Sequence, residues 1–235
     1  MRRGPVLVPQ LVIRADETGC GGSIARTDTD RAAAVDPIDV EVGFLTPALR
    51  SDLLERWNEP QRRYHNETHL RAVLRAVDAL EADGEAFDAT EVRLAAWLHA
   101  AVFDPTESEN NERSAVFCER VLDPSAPVEE VARLVRLMGG HRVEVGDLNG
   151  AVLSDADLAV LGSDPETYDT YAADVRHEFA HVPGERFVAG RIVALEGLLE
   201  RKSVYLTRAG RDMWEKQAHA NLNRELGLLR AGAAG

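Results

Sequence analysis

Cysteine is almost missing from this chain of 235 residues: Cys20 and Cys118 stand far apart and form no CxxC pattern. That excludes a disulfide framework, argues against a thiolate zinc site and points to a reducing compartment. Long apolar runs are missing too. None reaches the roughly 18 residues needed to span a bilayer, and Pro5 and Pro9 break the short apolar stretch behind Met1-Arg2-Arg3, which removes the reading as an export signal. The expected location is the cytoplasm, with no membrane partner. Basic residues are in deficit: 27 Lys and Arg stand against 40 Asp and Glu, a formal charge of -13. A nucleic-acid duplex is therefore not expected as a general partner. A substrate carrying phosphate would need cations supplied locally, by arginines or by a metal. No stretch alternates well enough to build a sheet.

What remains is an ordinary globular composition, 45% hydrophobic and 29% charged, long enough for one domain with a full core. Residues 1–43 carry turn formers and charges without a sustained period and read as a flexible or loosely attached arm. From 44 to 235 the pattern is helical. Thr46-Pro47 is a cap followed by proline at the first helical position, Asp164-Pro165 is another start signal, and Gly139-Gly140 is a stop. Leu70, Val73, Leu74, Val77 and Leu80 follow the helical period up to Asp83-Gly84. Thr90 opens a helix that is apolar on nearly every side from Leu94 to Phe103 and so should be central. Further helices are expected over 109–122, 128–138, 150–161, 165–180, 185–200 and 209–230. The fold class is all-α, an irregular helical bundle.

Within it the informative residues are histidines. His65 and His69 are four apart, a spacing that on a helix places both on one face, and His99 lies in the apolar run Leu94–Phe103. A buried imidazole without a partner costs on the order of 1–3 kcal/mol, and metal coordination would satisfy the need. His141 follows the helix that stops at Gly139-Gly140, whose negative end suits a protonated ring, a general acid or a phosphate contact. Asp155 and Asp157 lie inside the apolar stretch Leu153–Leu158, where a carboxylate must be paired or bound to a metal. Periodicity does not say which of the two faces inward. Arg62-Arg63 offers a phosphate contact or a solvated basic pair. Trp57, Trp97 and Trp214 read as core, and Cys118 as a small hydrophobe.

These residues resemble the HD superfamily of metal-dependent phosphohydrolases, closest to a bacterial branch of predicted phosphohydrolases. The likeness runs from about Trp57 to Leu229. It rests on Glu59-Pro60-Gln61-Arg62-Arg63-Tyr64-His65, His69, Trp97-Leu98-His99, Val102-Phe103-Asp104-Pro105, Glu112-Arg113-Ser114-Ala115, Asp155 through Gly162, and the Glu178-Phe179 to Val182-Pro183 segment. The resemblance implies an HD-type helical domain that hydrolyses a small phosphorylated metabolite or nucleotide. It makes His65 the proton donor, beside the His141 that the helix end offers for the same role, and His69, His99 and Asp155 or Asp157 the ligands of a divalent ion (Mn, Mg, Zn, Fe or Co). One departure is plain: the superfamily is named for a His-Asp pair, and Ala100 follows His99. Asp104, five residues on, would point about 140° away on a continuous helix. A single ion held by two nitrogens and an oxygen remains available, whereas a two-metal clamp loses its bridge. The alternative is a catalytically inactive protein that binds a ligand in the same pocket. A second alternative is a zinc protease, because His177-Glu178-Phe179-Ala180-His181 matches H-E-x-x-H. Phe187 occupies its third-ligand position, however, and the two histidines lie opposite the stripe Tyr168, Tyr171, Val175, Phe179, as solvated side chains would.

Overall fold

Caps and prolines divide the chain into nine α-helices and one 3₁₀ turn, with no strand among the described residues; the computed structural model describes residues 35–233. The helices are α1 (Pro47–Trp57), α2 (Glu67–Ala82), α3 (Ala89–Leu98), α4 (Asn110–Val121), α5 (Val128–Leu137), α6 (Leu148–Asp157), α7 (Pro165–Glu178), α8 (Gly184–Leu199) and α9 (Arg208–Ala233), with the 3₁₀ turn Leu158–Gly162 between α6 and α7. Two expected starts hold to the residue: the Thr46 hydroxyl accepts the Leu49 N–H before Pro47, and Asp164 accepts the Glu166 and Thr167 N–H groups around Pro165. None of the helices is long and apolar enough to cross a membrane, among the described residues.

Most of the expected arm, residues 1–34, lies outside the described residues. Its last part does not behave as an arm. Ile38 and Val42 are buried in the core, the Arg50 guanidinium donates to the Ile38 and Val40 carbonyls, and Asp36 pairs with Arg71. The central apolar helix starts earlier and stops sooner than its pattern suggests. Asp88, not Thr90, caps α3 by accepting the Glu91 N–H at 3.0 Å, and the helix ends at Leu98. His99 is its C-cap, and Ala100 to Asp104 form a loop. Phe103 is nonetheless buried, as are Ala100 and Ala101, so the apolar run reported burial rather than helicity. Asn110 holds this loop: its side chain accepts the Asp104 N–H at 3.0 Å and donates to the Asp104 and Glu107 carbonyls.

Two apolar clusters form the interior. One contains Trp57, Leu70, Trp97 and Leu153; the other contains Tyr168, Leu195, Tyr205 and Leu222. Cys118 is fully buried in the first, where burial pushes its thiol up to about 12, as a small hydrophobe's would be. The 3₁₀ turn packs on α9, and Gly162 is where they touch. A Cβ at Gly162 would lie 2.5 Å from the Trp214 Cβ and 2.7 Å from its carbonyl oxygen, so α9 itself would have to move. Gly162→Ala is expected to lower stability by about 1–3 kcal/mol in chemical denaturation, whereas Gly184→Ala, with nothing within 4 Å, should leave it unchanged.

Candidate metal centre

Helices α2, α3 and α6 pack on one another, and their ends bring three donors together. Asn66 starts α2 by accepting the Thr68 and His69 N–H groups at 2.9 and 3.2 Å, which sets His69 in the first turn. His99 follows the last turn of α3, and Asp157 is the last residue of α6. The His69 Nε2 lies 3.3 Å from the His99 Nε2 and 3.0 Å from Asp157 Oδ1, with His99 Nε2 at 3.6 Å from the same oxygen. Both rings are buried, and they sit at the seam of the two clusters: His69 packs against Trp57 at 6.2 Å and against Tyr64 at 4.5 Å between ring centroids.

This group is built to present lone pairs. The His99 Nδ1–H donates to the Ala96 carbonyl at 2.8 Å, which leaves Nε2 unprotonated and facing the cluster. Burial pushes the His99 imidazolium down to about 4 against the pull of Asp157, so the ring is neutral near pH 7. Burial alone would raise the Asp157 carboxyl; hydrogen bonds with His141 and His69 overcome it and hold the group well below the usual range. The imidazoles of His69 and His99 and the Asp157 carboxylate, with donor atoms within a few ångströms of one another, can hold a metal ion. The spacing fits. Ligand bonds of about 2.0–2.2 Å at angles between a right angle and a tetrahedral one separate donor atoms by roughly 2.8–3.6 Å.

Comparison with known proteins adds no relative: no family model, curated protein or solved structure matches this chain. The site therefore stands on its own geometry.

His141 joins the cluster from behind Asp157. Its Nε2 lies 3.3 Å from Asp157 Oδ2 and its Nδ1 3.0 Å from the Ser154 hydroxyl, in a buried ring on a residue with φ of 50°. With both nitrogens engaged, it orients the carboxylate. His65 takes a different course from the expected one. It precedes the Asn66 cap, so it does not share a helical face with His69. Instead Glu178 fixes it: Oε1 accepts the backbone N–H groups of Arg63, Tyr64 and His65 at 2.8–2.9 Å, and Oε2 accepts the His65 Nδ1–H at 2.7 Å. Burial would raise Glu178; the His65 charge and these donors hold it down to about 2. The His65 ring stacks on Phe103 at 4.6 Å and lies 5.6 Å from the His69 ring.

Two further expectations are corrected. Asp155 is not among the donors: its oxygens accept the Leu206 and Thr207 N–H groups and the Thr207 hydroxyl at 2.7–3.0 Å, tying α6 to the turn before α9. Arg62 cannot meet a substrate phosphate, because its side chain is fully buried and donates to Glu59 and to the His65 and Ala100 carbonyls. Arg63 is exposed. His177 and His181 are exposed, as the solvated reading expects; the H-E-x-x-H match does not lie on one helix, since α7 ends at Glu178, which turns inward to His65. Sequence reading missed Glu178 as the partner of His65. The signal was present, since Glu178 falls three residues after Val175 and seven after Tyr171, on the apolar stripe where a carboxylate needs a donor.

Proposed function

We propose that the protein is a metal-dependent phosphohydrolase of the HD type, acting on a small phosphorylated metabolite or nucleotide with one divalent ion held by His69, His99 and Asp157. The observation that carries this reading is the donor spacing of 3.0–3.6 Å among those three residues, with the His99 tautomer set by the Ala96 carbonyl. The resemblance at Tyr64-His65, His69, Trp97-Leu98-His99 and Asp155–Gly162 supports it. Two imidazoles favour a transition-metal ion over magnesium. Such an ion supplies Lewis-acid activation of a phosphoryl oxygen and of a water.

The residues of the chain supply the rest. His141, its own Nδ1 paired with the Ser154 hydroxyl, holds Asp157 in place from its far side. His65, oriented by Glu178 and 13% exposed at its side chain, is the group placed to give a proton to the leaving oxygen through Nε2. A cleft of about 500 Å³ lined by Gln61, Phe103, Thr106 and Arg113 shares Phe103 with the His65 stack. That is within the usual size for a small-molecule site, and it gives the remainder of the substrate a place on the proton-donor side.

A second reading, ligand binding without turnover, is favoured by one observation: Ala100 occupies the position of the superfamily aspartate, and its carbonyl accepts from Arg62 at 2.8 Å. Metal analysis and a phosphoester panel on this protein and on Ala100→Asp separate the two. The expected result is one ion per chain and hydrolysis without the substitution. Hydrolysis in Ala100→Asp alone would establish the second reading, and absence of metal from both proteins would overturn both.

A further inference from the structure

The basic pair Arg62-Arg63 divides at once in the fold. Arg63 faces solvent, while the Arg62 side chain is fully buried. A buried guanidinium must find acceptors for its fork of N–H donors, and the acceptors of Arg62 are informative. Nε donates to Glu59 Oε2 at 3.1 Å, which supplies the counter-charge. Nη1 donates to two backbone carbonyls on separate segments, His65 at 3.1 Å and Ala100 at 2.8 Å. The first carbonyl belongs to the residue placed to give the proton. The second belongs to the residue that follows the metal donor His99.

Packing stiffens this clamp. The guanidinium lies 5.4 Å from the Trp57 ring centroid and 5.3 Å from that of Phe103. Trp57 is itself anchored: its indole N–H donates to the Trp97 carbonyl at 3.0 Å, and its ring stands 5.2 Å from the His99 ring. Phe103 stacks on the His65 ring at 4.6 Å. Arg62 thus bears on His65 twice, through the backbone carbonyl and through the aromatic ring that lies against the imidazole. Glu178 also holds His65, but its hydrogen bonds go to residues 63–65 alone, so it does not fix that segment against the loop after His99. A hydrophobic side chain of similar volume often fills a core as well as a buried ion pair does. What it cannot do is tie two carbonyls from different segments to one atom.

We infer that Arg62 is a positioning residue, which sets His65 in register with the metal donors by clamping the two backbone segments that carry them. The use made of that register rests on the phosphohydrolase reading. Misplacement of a reacting group by about 1 Å costs about 10²-fold in rate, so a clamp of this kind matters to turnover while touching no substrate.

The test compares the full-length wild type with Arg62→Ala and Arg62→Lys. Metal content, turnover of the phosphoesters in the panel, and the histidine ring N–H signals in NMR spectra are followed for each. Both variants should keep their metal. Arg62→Ala should lose about 10²-fold in kcat with KM little changed. Arg62→Lys should lose less, because it keeps the charge and gives up the fork; it carries the test if the alanine variant does not fold. Guanidinium ion at a concentration too low to denature should restore part of the Arg62→Ala turnover, whereas urea, the same shape without the charge that faces Glu59, should not. The His65 Nδ1–H should lose protection from exchange in Arg62→Lys, while the His99 Nδ1–H, held by the Ala96 carbonyl, keeps its own. Wild-type kcat in variants that merely melt earlier would overturn the inference, the mark of a purely structural arginine. So would an unchanged His65 signal, or loss of metal, which would place Arg62 behind the metal donors instead. A wild type that hydrolyses no phosphoester, but whose His65 signal still depends on Arg62, would sustain the clamp and overturn the phosphohydrolase reading.

Discussion

Asp157→Asn is expected to empty the centre of metal with helical content unchanged, while Asp155→Asn keeps the metal and melts earlier. The two aspartates are two residues apart on α6 and equally plausible in sequence, yet they face different chemistry. Asp157 places Oδ1 3.0 Å from His69 and 3.6 Å from His99. An amide of the same shape retains an acceptor there but lacks the negative charge that offsets a divalent cation. Since loss of a mere outer-shell partner lowers metal affinity by about 10–100-fold, loss of this ligand should exceed that, and elemental analysis should find little metal. Asp155 accepts from Leu206, Thr207 and the Thr207 hydroxyl. Asparagine would turn an amide N–H₂ toward one of those donors, leaving buried groups unsatisfied at about 1–3 kcal/mol. For a domain of this size that is roughly a 2–12 °C fall in melting temperature. Burial also pushes Asp155 up to about 6 against its donors, so its carboxylate is poorly suited to a site that must stay anionic. Equal metal loss in the two variants would remove the assignment of Asp157.

That pair also marks the limit of what the sequence discloses. Cap chemistry is local, so Thr46-Pro47 and Asp164-Pro165 announce their helices without knowledge of the fold. An apolar pattern reports only burial, and Leu94–Phe103 stays apolar past the end of α3 because the loop that follows is also interior. The need for a partner at His69 and His99 was legible from their placement on apolar segments. Which aspartate would answer it was not, since the groups that claim Asp155 lie about fifty residues later in the turn before α9. His65 shows the converse. The spacing of four suggested a shared helical face, but Asn66 caps α2 between the two histidines, and His65 reaches the centre because Glu178, over a hundred residues away, holds three successive backbone N–H groups and the ring. Arg62 next to it read as a phosphate contact because a basic pair carries no signal of burial. The Trp57 and Phe103 rings pack against its guanidinium, at 5.4 and 5.3 Å from their centroids.

Glu178 should reveal itself through both turnover and acid stability. In the folded chain its carboxyl titrates at about 2, below the ordinary 4.5, because the His65 charge and hydrogen bonds outweigh burial. As pH falls, the unfolded chain therefore takes up this proton first. The stabilisation is fully present above about pH 4.5 and is lost between there and about pH 2; a shift of this size corresponds to roughly 3 kcal/mol. Glu178→Gln retains an oxygen for the Arg63, Tyr64 and His65 N–H groups but replaces the acceptor of the His65 Nδ1–H by an amide donor. The variant should be less stable than the parent at pH 7 in urea, with the gap closing on acidification toward pH 3. A gap that stays constant across that range would mean that Glu178 acts through packing and not through its charge. In the ring itself, the amide donor forces the opposite tautomer, with Nδ1 as acceptor. Phosphoester turnover should then fall by about 10²-fold or more, with metal content unaltered because His69, His99 and Asp157 do not touch Glu178. Loss of metal together with turnover would place Glu178 among the supports of the metal donors instead of behind the proton donor.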